Sequence, residues 1–184
     1  TAGSNYTLNF TGANLTITAK AVNVVADPQS KAYGAADPAL TYVADALEGS
    51  DVYTGALTRD AGENVGAYAI NQGTLTAGSN YTLNFTGANL TITGASSVVT
   101  VLCPASVEYT GSPLTPCTGT VTGTDLNLDV TASLVYANNT NVGVGTASAS
   151  YEFLGDANHS GSNGSDTFSI TDTSAPDTTI TVGP

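Results

Sequence analysis

One histidine, two cysteines, three basic residues and fifteen carboxylates make up the charged and reactive stock of this 184-residue chain. Any Ser-His-Asp arrangement or histidine-ligated metal would have to use His159. It lies in the run GDANHSGSNGS, whose turn-forming residues predict a solvated turn position rather than a general base. Cys103 and Cys117 enclose a short loop among β-type residues and prolines. Their spacing fits no zinc pattern and no second Cys/His pair accompanies them, so a disulfide is expected, with two buried free thiols as the alternative. A bridge would imply an oxidising compartment.

Carboxylates gather at Asp45, Glu48 and Asp51, at Asp60 and Glu63, and at Asp172 and Asp177. Calcium accepts several oxygen ligands from loops, so Asp45, Glu48, Asp51, Asp172 and Asp177 are weak calcium candidates. Their spacing matches neither an EF-hand nor an Asp-rich nonapeptide. No other cofactor and no catalytic residue is expected, so the chain reads as a non-enzyme. The sequons at Asn80, Asn84, Asn89, Asn138, Asn158 and Asn163 follow from a Thr- and Asn-rich composition and carry no expectation of glycans.

The net charge is −12, and no Lys/Arg cluster exists to neutralise phosphates, which excludes a nucleic-acid partner and disfavours an anionic membrane surface. Apolar residues reach 41% with only 10% charged, the composition of a folded chain with a hydroxyl-rich surface. No apolar run in this segment is long enough to span a bilayer.

Positioning of these groups follows from a repeat. Residues 1 to 18, TAGSNYTLNFTGANLTIT, recur unchanged at 76 to 93, a displacement of 76 − 1 = 75 positions. Fixed-period identity marks an array of stacked units. Within the copy at 80 to 93, Tyr81, Leu83 and Phe85 alternate with polar residues and Gly87-Ala88-Asn89 leads into Leu90 and Ile92, which predicts a hairpin with one apolar face. Further short strands are expected at 21–26, 39–44, 54–57 and 67–71, then at 98–102, 106–109, 119–122, 129–136, 146–153 and 166–171. Punctuation recurs between the halves: Asp27-Pro28 aligns with Cys103-Pro104, Tyr33 with Tyr109, Leu40-Thr41 with Leu114-Thr115, and Asn64-Val65-Gly66 with Asn141-Val142-Gly143. By this register Cys103 replaces Asp27 and Cys117 falls near Val43. Four pieces are expected: a C-terminal hairpin of a preceding repeat (1–18), a domain at 19–94, a second at 96–171, and a linker with the first strand of a following unit (172–184). The apolar residues of the end pieces, Tyr6, Leu8, Phe10, Leu15, Ile17, Ile180 and Val182, are candidates for strand exchange with a neighbour.

The first domain resembles the mostly-bacterial immunoglobulin-like (MBG) repeats. The likeness rests on Tyr33-Gly34, Asp37-Pro38-Ala39-Leu40-Thr41-Tyr42, Gly55-Ala56-Leu57-Thr58-Arg59, Gly62-Glu63-Asn64-Val65-Gly66-Ala67-Tyr68-Ala69-Ile70, Gly73-Thr74-Leu75 and Asn80-Tyr81-Thr82-Leu83. The second domain is similar to a related bacterial Ig-like repeat, through Val107-Glu108-Tyr109-Thr110-Gly111 and Gly155-Asp156-Ala157-Asn158-His159. The resemblance implies an all-β chain of tandem antiparallel β-sandwiches and a non-catalytic role at a bacterial surface or in an extracellular stalk or filament. Its partners would be neighbouring repeats of the same chain or identical subunits of a fibre. A carbohydrate- or protein-binding adhesion module is the alternative. Tyr68 becomes a candidate tyrosine corner. Lys20 and Lys31 raise the further question of a Lys to Asn/Asp amide cross-link, known in some bacterial Ig-like domains, with ordinary surface lysines as the expectation.

Overall fold

The computed structural model describes residues 3–173. Among them the chain forms fourteen β-strands and one turn of 3-10 helix, Thr131–Ser133. The strands are β1 (Lys20–Ala26), β2 (Gln29–Ala32), β3 (Tyr42–Ala44), β4 (Thr58–Arg59), β5 (Gly66–Asn71), β6 (Tyr81–Thr86) and β7 (Ala88–Thr93). They continue with β8 (Ser97–Leu102), β9 (Ser106–Glu108), β10 (Thr118–Gly123), β11 (Leu126–Asp129), β12 (Val135–Ala137), β13 (Gly143–Gly155) and β14 (Ser160–Thr171). The fold is all-β and immunoglobulin-like, and each sequence copy supplies one three-stranded and one four-stranded sheet: β3-β1-β6 with β2-β7-β5-β4, then β11-β10-β8 with β12-β13-β14-β9.

Two compact units gather these residues. The first takes the chain up to Pro28 with Ala39–Asp60 and Ala69–Asn89; the second takes Gln29–Pro38, Ala61–Tyr68 and everything described from Leu90 onward. In the first unit β1 pairs antiparallel with β3 and parallel with β6, in the register Lys20↔Tyr81 to Val25↔Thr86. Val22, Val24 and Ala26 are buried at every second position of β1, as a pleated strand with one covered face requires. In the second unit β13 and β14 form a long antiparallel hairpin, and β10 lies antiparallel between β8 and β11. Its core joins Val99, Val101, Val121, Ala147, Ala149, Phe168 and Ile170.

The aligned prolines mark a shared device. After β1, Asp27-Pro28 interrupts the ladder, and β2 pairs with β7 in another sheet. After β8, Cys103-Pro104 does the same, and β9 pairs parallel with β14. A residue without an N–H cannot continue a ladder, so proline ends one pairing where the chain changes sheet.

Four expectations need correction, the first being the strand expected at 54–57: Thr54 makes only an isolated bridge with Thr76, and β4 begins at Thr58. Residues 80 to 93 are not a hairpin: β6 joins β1 while β7 joins β2, and Gly87 is the crossing point. A Cβ on Gly87 would lie 2.7 Å from the Ile70 carbonyl oxygen, so only glycine lets the chain pass there. The identical text at 3–18 forms no strand; β1 begins only at Lys20, and the segment lacks the flanking strands that hold β6 and β7. The strand expected at 129–136 is split, because the Thr131–Ser133 turn separates β11 from β12.

Candidate functional site

The weak calcium candidates Asp45, Glu48 and Asp51 meet protein partners instead. Asp45 Oδ2 accepts from the backbone N–H and the side-chain amide of Asn23, at 2.8 and 2.9 Å. Glu48 pairs with Lys20, and that ion pair holds the Glu48 carboxyl below, and the Lys20 ammonium above, its ordinary value. The Tyr81 hydroxyl accepts from the Glu48 N–H at 2.9 Å and donates to Asp51 Oδ2 at 2.8 Å. These carboxylates therefore organise the loop between β3 and β4 against β1 and β6. Asp172 follows β14, and Asp177, Ile180 and Val182 lie outside the described residues. Asp60 accepts from the Asn71 side-chain amide at 2.8 Å. Glu63 and Asp37 both hold Lys31, whose side chain is 5% exposed, at 2.5 and 2.7 Å from Nζ. Asp37 first, and Glu63 with it, hold the Lys31 ammonium above its ordinary value. Lys31 is thus no surface lysine but a covered ammonium clamped by two carboxylates. A charged amine of this kind is a poor nucleophile.

Tyr68 makes the corner anticipated for it. Its hydroxyl donates to the Asn64 carbonyl at 2.8 Å, four residues upstream. Its ring lies over Gly62, where φ is +145° and a Cβ would come within 2.0 Å of Tyr68 Cε1. Tyr68→Phe is expected to lose about 1 kcal/mol of stability, the net worth of one hydrogen bond. Gly62→Ala is expected to lose more than that, because it adds both a strained backbone and a displaced ring. Urea unfolding of both variants checks the ranking, and a Gly62→Ala variant as stable as the parent would contradict it.

The cysteines form the expected disulfide, with a separation of 14 residues. They sit one step beyond the last ladder pair of β8 and β10, Leu102↔Thr118. The corresponding step in the first copy, beyond Ala26↔Tyr42, holds Asp27 and Thr41. There the Thr41 hydroxyl donates to Asp27 Oδ2 at 2.7 Å. The offset is 103 − 27 = 117 − 41 = 76 residues for both members, so Cys117 takes the place of Thr41 rather than lying near Val43. A hydrogen bond in one copy and a covalent bond in the other close the same point of the plan.

His159 is the residue the sequence placed wrongly. It is 8% exposed, and its ring is enclosed on both sides. Nδ1 lies 2.8 and 3.0 Å from the two Asp156 oxygens, and Nε2 lies 2.6 Å from the Thr124 carbonyl oxygen. The Thr124 carbonyl, and then the Asp156 carboxylate, raise the His159 pKa above its ordinary 6.5. The carboxylate itself is held below its ordinary range, first by the Asn158 N–H and then by the imidazole. The Tyr33 ring meets the imidazole edge to face, with centroids 5.5 Å apart. Beside them Asn158 Oδ1 accepts from the Val65 N–H at 3.0 Å, and Asn158 Nδ2 donates to Asn64 Oδ1 at 3.1 Å. Composition hid this cluster; the spacing Asp156-x-x-His159, which suits a carboxylate capping the next two or three N–H groups, was the available signal.

At the N-terminal side, Tyr6, Leu8, Phe10, Leu15 and Ile17 are 70% to 89% exposed. Among the described residues no group of three or more His, Cys, Asp or Glu is arranged to hold a metal ion, and no helix is long and apolar enough to cross a membrane. A shallow groove of about 530 Å³ in the second unit lies on the face of β12, β13 and β14 and includes Tyr151, Glu152 and Asn163. No curated protein matches the chain. Residues 22–91 match the family model described as MBG domain (YGX type), and over that stretch the resemblance read from Tyr33-Gly34 through Tyr81-Thr82-Leu83 is borne out; MBG domains occur in bacterial surface proteins.

Proposed function

We propose that this chain is a structural, non-catalytic segment of an extracellular bacterial repeat array, working as a stalk or as the subunit of a filament. The observation that carries the reading is the duplicated text. One copy is built into two sheets as β6 and β7, while the other presents its apolar residues to solvent. The MBG match, a family of structural domains, and the disulfide, which suits an oxidising exterior, support it.

Residues 3–18 do not fit their own scaffold. A strand parallel to β1 needs a crossover of about a dozen residues, and only residues 12–19 would separate the segment equivalent to β6 from Lys20. The place beside β1 is also held by β6. The partner of residues 3–18 is therefore a second scaffold of the same kind, supplied by a neighbouring repeat or by an identical subunit. Electron microscopy of the native protein is expected to show thin rods or fibres of end-to-end units. Removing residues 1–18 is expected to reduce end-to-end association without unfolding the two units. Compact single particles that bind one glycan or protein tightly would instead favour the adhesion-module reading.

A further inference from the structure

The imidazole of His159 stands between two acceptors and has no donor facing it. A neutral ring carries one N–H and can satisfy either the Asp156 carboxylate or the Thr124 carbonyl, leaving a lone pair against the other. Only the imidazolium satisfies both, at 2.8 Å and 2.6 Å. The side chain is 5% exposed, so water does not replace the missing proton at low cost.

What this ring closes comes from both sequence copies. Thr124 belongs to the two-residue turn between β10 and β11, where Asp125 adopts a positive φ of 54°. Asp156 receives the backbone N–H groups of Asn158 and His159, both at 2.8 Å, and so shapes the loop joining β13 to β14. That loop holds the linker between the copies, since the Ala95 N–H donates to the Asn158 carbonyl and the Ser160 N–H to the Ala95 carbonyl, at 2.9 and 2.8 Å. The first copy answers with the Tyr33 ring, with Asn64 and Val65 on Asn158, and with Gly34, where a Cβ would fall 2.3 Å from Thr124 Cγ2. All of these residues lie in the second compact unit.

We propose that His159 is a proton-controlled fastener of this junction: protonated, it ties the Thr124 turn to the Asp156–His159 loop and presents Asn158 and its own ring edge to the 33–34 and 64–65 turns of the preceding repeat. Loss of the proton sets a ring lone pair against an acceptor and loosens the set together. The charged and titratable groups facing the ring are Asp156 from its own loop, Asp125 from the β10–β11 turn, and the Tyr33 phenol. The linker and the end of β10 contribute Ala95 and Gly123, which carry no charge. The raised pKa fixes the direction. The contribution is fully present below about 6.5 and is lost as pH rises through the folded-state value. An array joined this way stiffens in acid and slackens in alkali, whether it is a stalk or a filament.

The single histidine makes the test clean. In the full chain, ring nitrogen shifts of His159 give its titration, and the exchange protection factor of the Val65 amide reports the Asn158 contact. Protection is expected to fall about fivefold or more with the same midpoint as the ring. Asp156→Asn keeps an oxygen to cap the Asn158 and His159 N–H groups but removes the charge, so both midpoints are expected to move together to lower pH. The proposal is overturned if Val65 protection stays flat while the ring titrates, if the ring is neutral below pH 6.5, or if the ring keeps its proton to pH 9 with nothing loosening.

Discussion

Phe168→Ala is expected to lower the unfolding free energy by about 3–5 kcal/mol, the range for a large aromatic removed from a packed core. Phe168 is 1% exposed and lies in the cluster of Val99, Val101, Val121, Ala147, Ala149 and Ile170. Its ring also meets Tyr136 edge to face at 6.4 Å, a contact worth something beyond buried area. The surroundings cannot close over the gap. The residue paired with Phe168 across the β13–β14 ladder is Ala147, which is already fully buried and has no side chain to swing inward. Both strands are held by a continuous ladder from Ala147↔Phe168 to Phe153↔Ser162, so the backbone resists collapse. The loss should therefore fall in the upper part of the range. Phe168→Leu, which keeps most of the volume, is expected to cost clearly less. Urea unfolding checks this by a lower midpoint with an unchanged slope. A loss below about 1.5 kcal/mol would mean that the core repacks and that Phe168 is not its centre.

The strand pattern of the chain was legible because it is local. Val22, Val24 and Ala26 fall at every second position, and β1, β5, β8 and β14 stand where strands are expected. Which sheet a strand joins is not local. Leu83 and Phe85 share a period with Leu90 and Ile92 across Gly87, yet the two halves pair with different strands. Short β2 was missed because Gln29-Ser30-Lys31-Ala32 has little β character, and its pairing comes from β7. The same distinction separates the site residues. Tyr68 reaches only four residues back, and the family pattern anticipated it. His159 is covered by Thr124, 35 positions away, and by Tyr33, so a Gly- and Ser-rich context spoke for solvent where the fold provides none. The acidic run at Asp45, Glu48 and Asp51 offered only weak calcium candidates, and the partners it has in the fold were hidden for a matching reason. Its donors, Asn23, Lys20 and Tyr81, lie 22 to 30 positions away and are invisible to spacing.

The disulfide is the second large term, and its position says what it does. Cys103 and Cys117 extend the β8–β10 ladder by one step at the point where the chain leaves that sheet, supplies β9 to the β14 edge, and returns. The excursion enclosed is 14 residues in separation, for which the chain-entropy model gives about 3 kcal/mol. Cys117 is 2% exposed and its N–H donates to the Tyr136 hydroxyl at 3.1 Å, while the Cys103 N–H donates to Asp166 at 2.8 Å. The bridge therefore locks two anchored ends rather than a loose loop. Cys103→Ala/Cys117→Ala is expected to lower the unfolding free energy by about 3 kcal/mol. Exchange at the β9 amides should rise before that at β13, because β9 keeps only its parallel contact with β14. The first copy supplies the reciprocal experiment. Asp27→Cys/Thr41→Cys puts a bridge at the equivalent step, across the same separation, in place of the Thr41–Asp27 side-chain hydrogen bond. It should form on oxidation and add about 2 kcal/mol, the loop term less the hydrogen bond it replaces. If the bridge fails to form, or the alanine pair unfolds at the parent's midpoint, then the two copies do not share this closing point and the disulfide serves neither sheet change.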